Sequence, residues 1–276
     1  NVRVSNCAFD TSDDSICLQT SRPDKPCRDV VITNCVFCSQ WAGIRIGLLS
    51  RGDIFNVTVS NCIFRNIKDA GLKIQLCEGG EMKNMIFNSL VMQDVPRPVL
   101  LTFSQQRACV DAPPELAPMK AMRDMIFSNI LVDDSMCRLH AALILVGMPG
   151  HPVENILLSD IQVITGGGGS LADGGEPLPD LDLEHLNGAW PEYSSFGRAV
   201  PCYGVYAGHM RGLTLRGISL RTQDGDERPA IFCDDIQGLV LDGIRLEDEQ
   251  DCESSIRLHN CPNPVMRGCT TPFAGE

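Results

Sequence analysis

The chain has 276 residues, 43% of them hydrophobic, enough to bury a core and compatible with a single elongated domain over 1–276. A net charge of −12 without any Lys/Arg run argues against nucleic acid as a partner, and the longest apolar stretch, Ala141 to Met148, falls far short of the roughly 18 residues of a membrane span. Ten Phe, three Tyr and two Trp beside 25 Gly and 17 Pro argue against a helical bundle and for many turns between strands.

In chain order, one ten-residue pattern recurs: NVRVSNCAFD at Asn1, DVVITNCVFC at Asp29, NVTVSNCIFR at Asn56, NMIFNSLVMQ at Asn84, DMIFSNILVD at Asp124, NILLSDIQVI at Asn155, GLTLRGISLR at Gly212 and GLVLDGIRLE at Gly238. These starts lie 28, 27, 28, 40, 31, 57 and 26 residues apart, a base period near 27 with three enlarged intervals. That spacing predicts one coil per period, with loop insertions at 104–123 and 165–201. Inside most copies an alternating apolar strand meets Asn6, Asn34, Asn61, Asn129, Asp160, Gly217 or Gly243 and then resumes. Asn, Asp and Gly tolerate left-handed backbone, so a sharp corner is expected there. The next position reads Cys7, Cys35, Cys62, Leu90, Ile130, Ile161, Ile218 and Ile244, which predicts an interior column in which the three thiols are buried.

A second strand follows in each coil: SICLQ at Ser15, GIRIG at Gly43, GLKIQ at Gly71, PVLLT at Pro98, ALILV at Ala142, YGVYA at Tyr203, PAIFC at Pro229 and SIRLH at Ser255. Alternation places Ile16, Leu18, Ile44, Ile46, Leu72 and Ile74 inside, and Cys17, Gln19, Arg45, Gly47, Lys73 and Gln75 outside. Stacked about 4.8 Å apart, the outward residues are expected to form a ladder on a flat open wall suited to a long polymer. The fold class predicted is therefore all-β, a right-handed single-stranded parallel β-helix of roughly eight coils. A leucine-rich horseshoe lacks its L-x-x-L-x-L spacing here, and a propeller needs a period above about 40.

At the entrance of the first wall strand stand Asp13 and Asp14. Adjacent carboxylates repel, which drives their pKa values apart as a general acid and a general base require; the plainer reading is a solvated turn. The same register carries Trp41 and Ala42, then Asp69 and Ala70, with Arg45 and Lys73 farther along the strands. Acids, an aromatic face and two cations thus converge within three coils.

These residues resemble glycoside hydrolase family 28, the polygalacturonases and their relatives. SDDSICLQT is similar to the family's G-D-D-C-I-A-I-K segment, AGIRIG followed by NVTVSNC resembles its G-H-G-I-S-I-G plus N-V-T-V-x-N-C, and GLKIQ resembles its R-I-K segment, in the family's order from Asn1 to Met92. The resemblance implies inverting hydrolysis of α-linked, galacturonic-acid-containing pectic chains. It matches Asp13 to the acid and Asp14 to a water-positioning carboxylate; Arg45, Lys73, Gln75, Gln19, Trp41 and Asp69, gathered on the same wall, are expected to bind a polysaccharide or oligosaccharide substrate. Departures are also visible. Lys73 stands for the family Arg and loses its bidentate fork; Gln75 stands for the family Lys; the family His falls at Trp41 or Ala42; and the family's first catalytic Asp belongs to a coil before Asn1, as expected of an N-terminally truncated member. Asp69, about 10 Å from Asp13 by coil spacing, is a substitute carboxylate if it is not simply a turn residue. Two other readings share this scaffold: a catalytically impaired glycan-binding β-helix, and a lyase or epimerase.

Trp190 and Tyr193 in the long insertion are placed either to stack on a sugar or to anchor their loop. His140, His151, His185, His209 and His259 show no metal-ligand spacing, so no metal and no cofactor are expected. Cys27 with Cys38, and Cys252, Cys261 and Cys269, are candidates for disulfides whose connectivity the sequence does not give. A monomer is expected, and the compartment is left open.

Overall fold

The structure, a computed structural model, describes residues 1–103, 119–136, 143–180, 200–247 and 254–271. Its strands stack exclusively in parallel, in the manner of a β-solenoid of about eight turns. Three stacks make up each turn. The first runs from Val2–Ser5 through Cys27–Thr33 to the start of Ile54–Ile67 and onward. Past a corner, the second runs from Ala8–Thr11 through Val36–Ser39. The third, the wall, contains Ile16–Thr20, Ile44–Ser50, Leu72–Leu76, Val99–Phe103 and Leu143–Val146, then the starts of Val205–Thr222 and Ile231–Asp242, and Ile256–His259.

The corners follow from residue chemistry. Asn6, Asn34, Asn61, Asn129 and Asp160 all have φ between 54° and 57°, and Gly217 and Gly243 continue the column at 62° and 67°. A second left-handed column, not anticipated from the repeat, occupies the repeat starts Asp29, Asn56, Asn84, Asp124 and Asn155, then Gly212 and Gly238. Left-handed backbone costs an ordinary residue roughly 1–2 kcal/mol. Asn and Asp offset part of this by bonding across coils: Asn56 donates to Asp29 at 2.9 Å and Asn155 to Asp124 at 2.6 Å.

One continuous core fills the interior. Phe37 and Phe64 stack at 4.8 Å between ring centres, with Phe9 on the outer side at 5.1 Å from Phe37. Each such buried side chain contributes roughly 1.5–3 kcal/mol. The predicted cysteine column holds at Cys35 and Cys62, both 1% exposed. Cys7 departs from it: on the first coil it is exposed, because among the described residues its column has a neighbour on one side only. Cys269 extends the column instead, packing against the core one place after the left-handed Gly268 that follows a ninth short strand segment, Val265–Arg267. Cys27, Cys38, Cys261 and Cys269 are free thiols, which corrects the expected disulfides among them; Cys252 lies outside the described residues. Trp190, Tyr193, His140 and His185 also lie outside them. The first insertion ends sooner than expected, since regular strand resumes at Ala121.

Candidate functional site

On the wall, register places the outward residues in one column: Cys17 beside Arg45, Arg45 beside Lys73, then Leu100, Ile144, Tyr206, Phe232 and Arg257. The predicted open ladder is corrected by burial, since Arg45 is 1% exposed and Lys73 and Gln75 are 0% exposed. Alternation assigned them the right side of the strand, but a side chain facing away from the core is not thereby in solvent. Gln19 is half-buried and out of line with Gly47. The pairing jumps from Leu18↔Ile46 to Thr20↔Ser50, so Gln19 faces a bulge containing Gly47 and Leu48. Gly47 has φ 107°, and a Cβ there would lie 1.7 Å from the Gln75 carbonyl oxygen, so only glycine fits.

The aspartate pair sits in the turn before the first wall strand. The Asp13 carboxylate accepts the backbone N–H of Asp14 at 2.8 Å, and its carbonyl accepts the hydroxyls of Thr11 at 2.6 Å and Ser39 at 2.8 Å. Ser39 in turn accepts the Trp41 N–H at 2.9 Å, which ties the Asp13 turn to the next coil. Sequence reading missed Ser39. Its signal was a hydroxyl residue in register with Thr11 one coil earlier.

Asp14 turns inward where Asp13 stays exposed. Its Oδ1 accepts the Ala42 N–H at 3.0 Å; its Oδ2 lies 3.5 Å from Arg45 Nη1 and accepts the Cys17 thiol at 3.6 Å. Partial burial, then the Asp14 carboxylate, push the Cys17 thiol up to about 12, so it remains a protonated donor at neutral pH. Arg45 Nη2 donates to Gln75 Oε1 at 2.7 Å.

Asp69 is not a plain turn residue. It is 1% exposed and holds Lys73 Nζ at 2.7 Å, while Nζ lies 5.4 Å from the centre of the Trp41 ring. Burial lowers the Lys73 pKa, offset in part by attraction to Asp69. The structure thus brings Asp14, Arg45 and Gln75 into one hydrogen-bonded chain, and Trp41, Lys73 and Asp69 into a second beside it. Asp13 and Gln19 remain at the accessible edge.

Farther along the wall lies a cluster that sequence reading did not foresee. His209 sits between two carboxylates, Asp235 at 2.7 Å from Nδ1 and Asp180 at 2.8 Å from Nε2, and His259 Nδ1 lies 2.6 Å from Asp234. Burial alone would lower the His209 pKa; the hydrogen bonds it donates to Asp235 and Asp180 outweigh it and hold the imidazole above its ordinary value. Tyr206 Oη accepts the Leu178 N–H at 2.9 Å, so the chain from Leu178 to Asp180 lies over the wall here. Among the described residues no group of three or more His, Cys, Asp or Glu is placed to hold a metal ion. No described helix is long and apolar enough to cross a membrane.

No curated protein and no solved structure matched this chain. The family model described as glycosyl hydrolases family 28 matches residues 1–173, a span that contains the Asp13–Asp14 turn and all three coils of the site. With well over half of its length matched on a parallel β-helix that carries those carboxylates, the chain belongs to glycosyl hydrolases family 28.

Proposed function

We propose that the protein is an inverting glycoside hydrolase of the polygalacturonase type acting on pectic polysaccharide, that is, on α-linked chains containing galacturonic acid. The observation that carries this reading is the division of labour inside the aspartate pair. Asp13 is exposed at the edge of the wall, whereas Asp14 is enclosed and faces a guanidinium. An accessible carboxylic acid suits protonation of the leaving glycosidic oxygen; a carboxylate paired with Arg45 suits orientation of the attacking water on the opposite side of the ring. Ser39 and Thr11 fix the Asp13 turn, and the Ala42 N–H and Arg45, itself anchored on Gln75, fix Asp14.

The test is reducing-sugar release from polygalacturonate and from neutral and rhamnose-containing pectic fragments, with Asp13→Asn beside the unaltered protein. Release that Asp13→Asn abolishes supports the hydrolase; release that survives in Asp13→Asn removes Asp13 from the mechanism. A second reading, a glycan-binding β-helix with impaired chemistry, draws on the burial of Arg45 and Lys73 and on the positions of Trp41 and Ala42 where the resembled motif carries His. It gains if such fragments bind without being cut.

A further inference from the structure

We propose that the sugar unit seated against the Asp13–Trp41 edge of the wall is uncharged, a neutral glycosyl residue rather than a uronate. The inference rests on the glycan reading of this same site and specifies its substrate class.

The argument is a charge balance. A subsite for a uronate carboxylate needs a cation that is reachable and not already committed. Arg45 and Lys73, the cations of the first three wall strands, meet neither condition. Arg45 is buried between Asp14 at 3.5 Å and Gln75 at 2.7 Å, and Lys73 is buried against Asp69 at 2.7 Å with the Trp41 ring at 5.4 Å. Taking either from its carboxylate would strand a buried anion, which costs far more than a surface contact returns. The family motif's second cation is absent, since Gln75 stands in its place.

The reachable edge has the opposite character. Asp13 presents its carboxyl group, Gln19 a neutral amide and Trp41 a half-buried indole, and the Cys17 thiol donates to Asp14. A carboxylate entering there gains no cation from the first three wall strands in a molecule of net charge −12, whereas hydroxyls find a donor and acceptor in Gln19 and the apolar face of a ring finds Trp41. Lys68 is exposed nearby, on the third turn, with its backbone N–H bonded to the Ser39 carbonyl. It occupies the turn position before the Asp69 register and serves as the control, because a uronate subsite on this rim would depend on it.

The experiment is calorimetric titration of the Asp13→Asn variant, at low salt, with a short oligogalacturonate and with the same oligosaccharide after its carboxylates have been reduced to primary alcohols. The two probes differ only at C6, a carboxylate in one and a primary alcohol in the other. The expected result is binding of the reduced probe at least about tenfold tighter than the acidic one, unchanged by Lys68→Ala. The proposal is overturned if the acidic probe binds as tightly or more tightly, if the preference depends on Lys68, or if the reduced probe does not bind. Failure of the hydrolase reading looks different: no fragment is cut, while the preference for the uncharged probe persists.

Discussion

The two ends of the wall share one register column and use it in opposite ways. At the first three coils the outward positions carry Cys17, Arg45 and Lys73, with charge balanced inside by Asp14 and Asp69 and an accessible edge at Asp13. Toward the other end the same column carries Tyr206 and Phe232, rings 5.7 Å apart, and a crossing segment is pinned over them by Leu178 and by Asp180 on His209. One end is organised around ion pairs and the other around aromatic burial under a strap. An outward position in a β-helix therefore has no fixed environment; its partners on neighbouring coils and loops supply it.

The comparison breaks most sharply in catalysis. Asp13→Asn is expected to lower turnover by about 10²–10⁴-fold, the range general acid catalysis supplies, while leaving unfolding stability within about 0.5 kcal/mol because Asp13 is exposed. No substitution in the Tyr206–Phe232 region should separate activity from stability in this way, as kinetics beside denaturant unfolding would show. Next in size is Lys73→Met. It strands the buried Asp69 carboxylate and should cost about 3–5 kcal/mol, much of it regained in Lys73→Met with Asp69→Leu; a double variant no more stable than the single one would mean that the pair is not the unit of stability.

A smaller effect is expected at the strap. Tyr206→Phe removes the acceptor for Leu178 and should cost about 0.5–1.5 kcal/mol, with faster amide exchange or proteolysis in the crossing segment and no change at the aspartate end. The smallest effect is the pH dependence of His209. Its folded pKa lies above the ordinary 6.5, so its contribution is fully present below about 6.5 and is lost as pH rises through the raised folded value. The stability difference between the unaltered protein and His209→Gln should accordingly be largest in mild acid and vanish in alkali; a difference that is flat with pH would show that His209 does not act as an imidazolium bridge.

Much of this was legible in the residues. Local backbone preference wrote the Asn, Asp and Gly corners into the sequence, and period-two alternation named the core face of each wall strand. The position of Asp13 and Asp14 at the mouth of the first wall strand followed from the same repeat. Other features escaped it. The second left-handed column was present in the text as Asp29, Asn56, Asn84, Asp124 and Asn155, but those residues read as strand starts. Gln19 left its column because a bulge in the neighbouring strand, spanning Gly47 to Leu49, shifts the register, and no property of Gln19 itself announces that.

By itself the sequence determined the coil, its period, its corners and the place of the aspartate pair, because these depend on φ/ψ preferences and on apolar periodicity within a few residues. Tertiary structure alone decided that Arg45 and Lys73 are sealed and paired, that Asp69 is the partner of Lys73, that Cys27 and Cys38 stay apart, and that His209 bridges two carboxylates. Each of those outcomes depends on which side chains from separate coils or loops come within a few ångströms of one another, and on how much water is left between them.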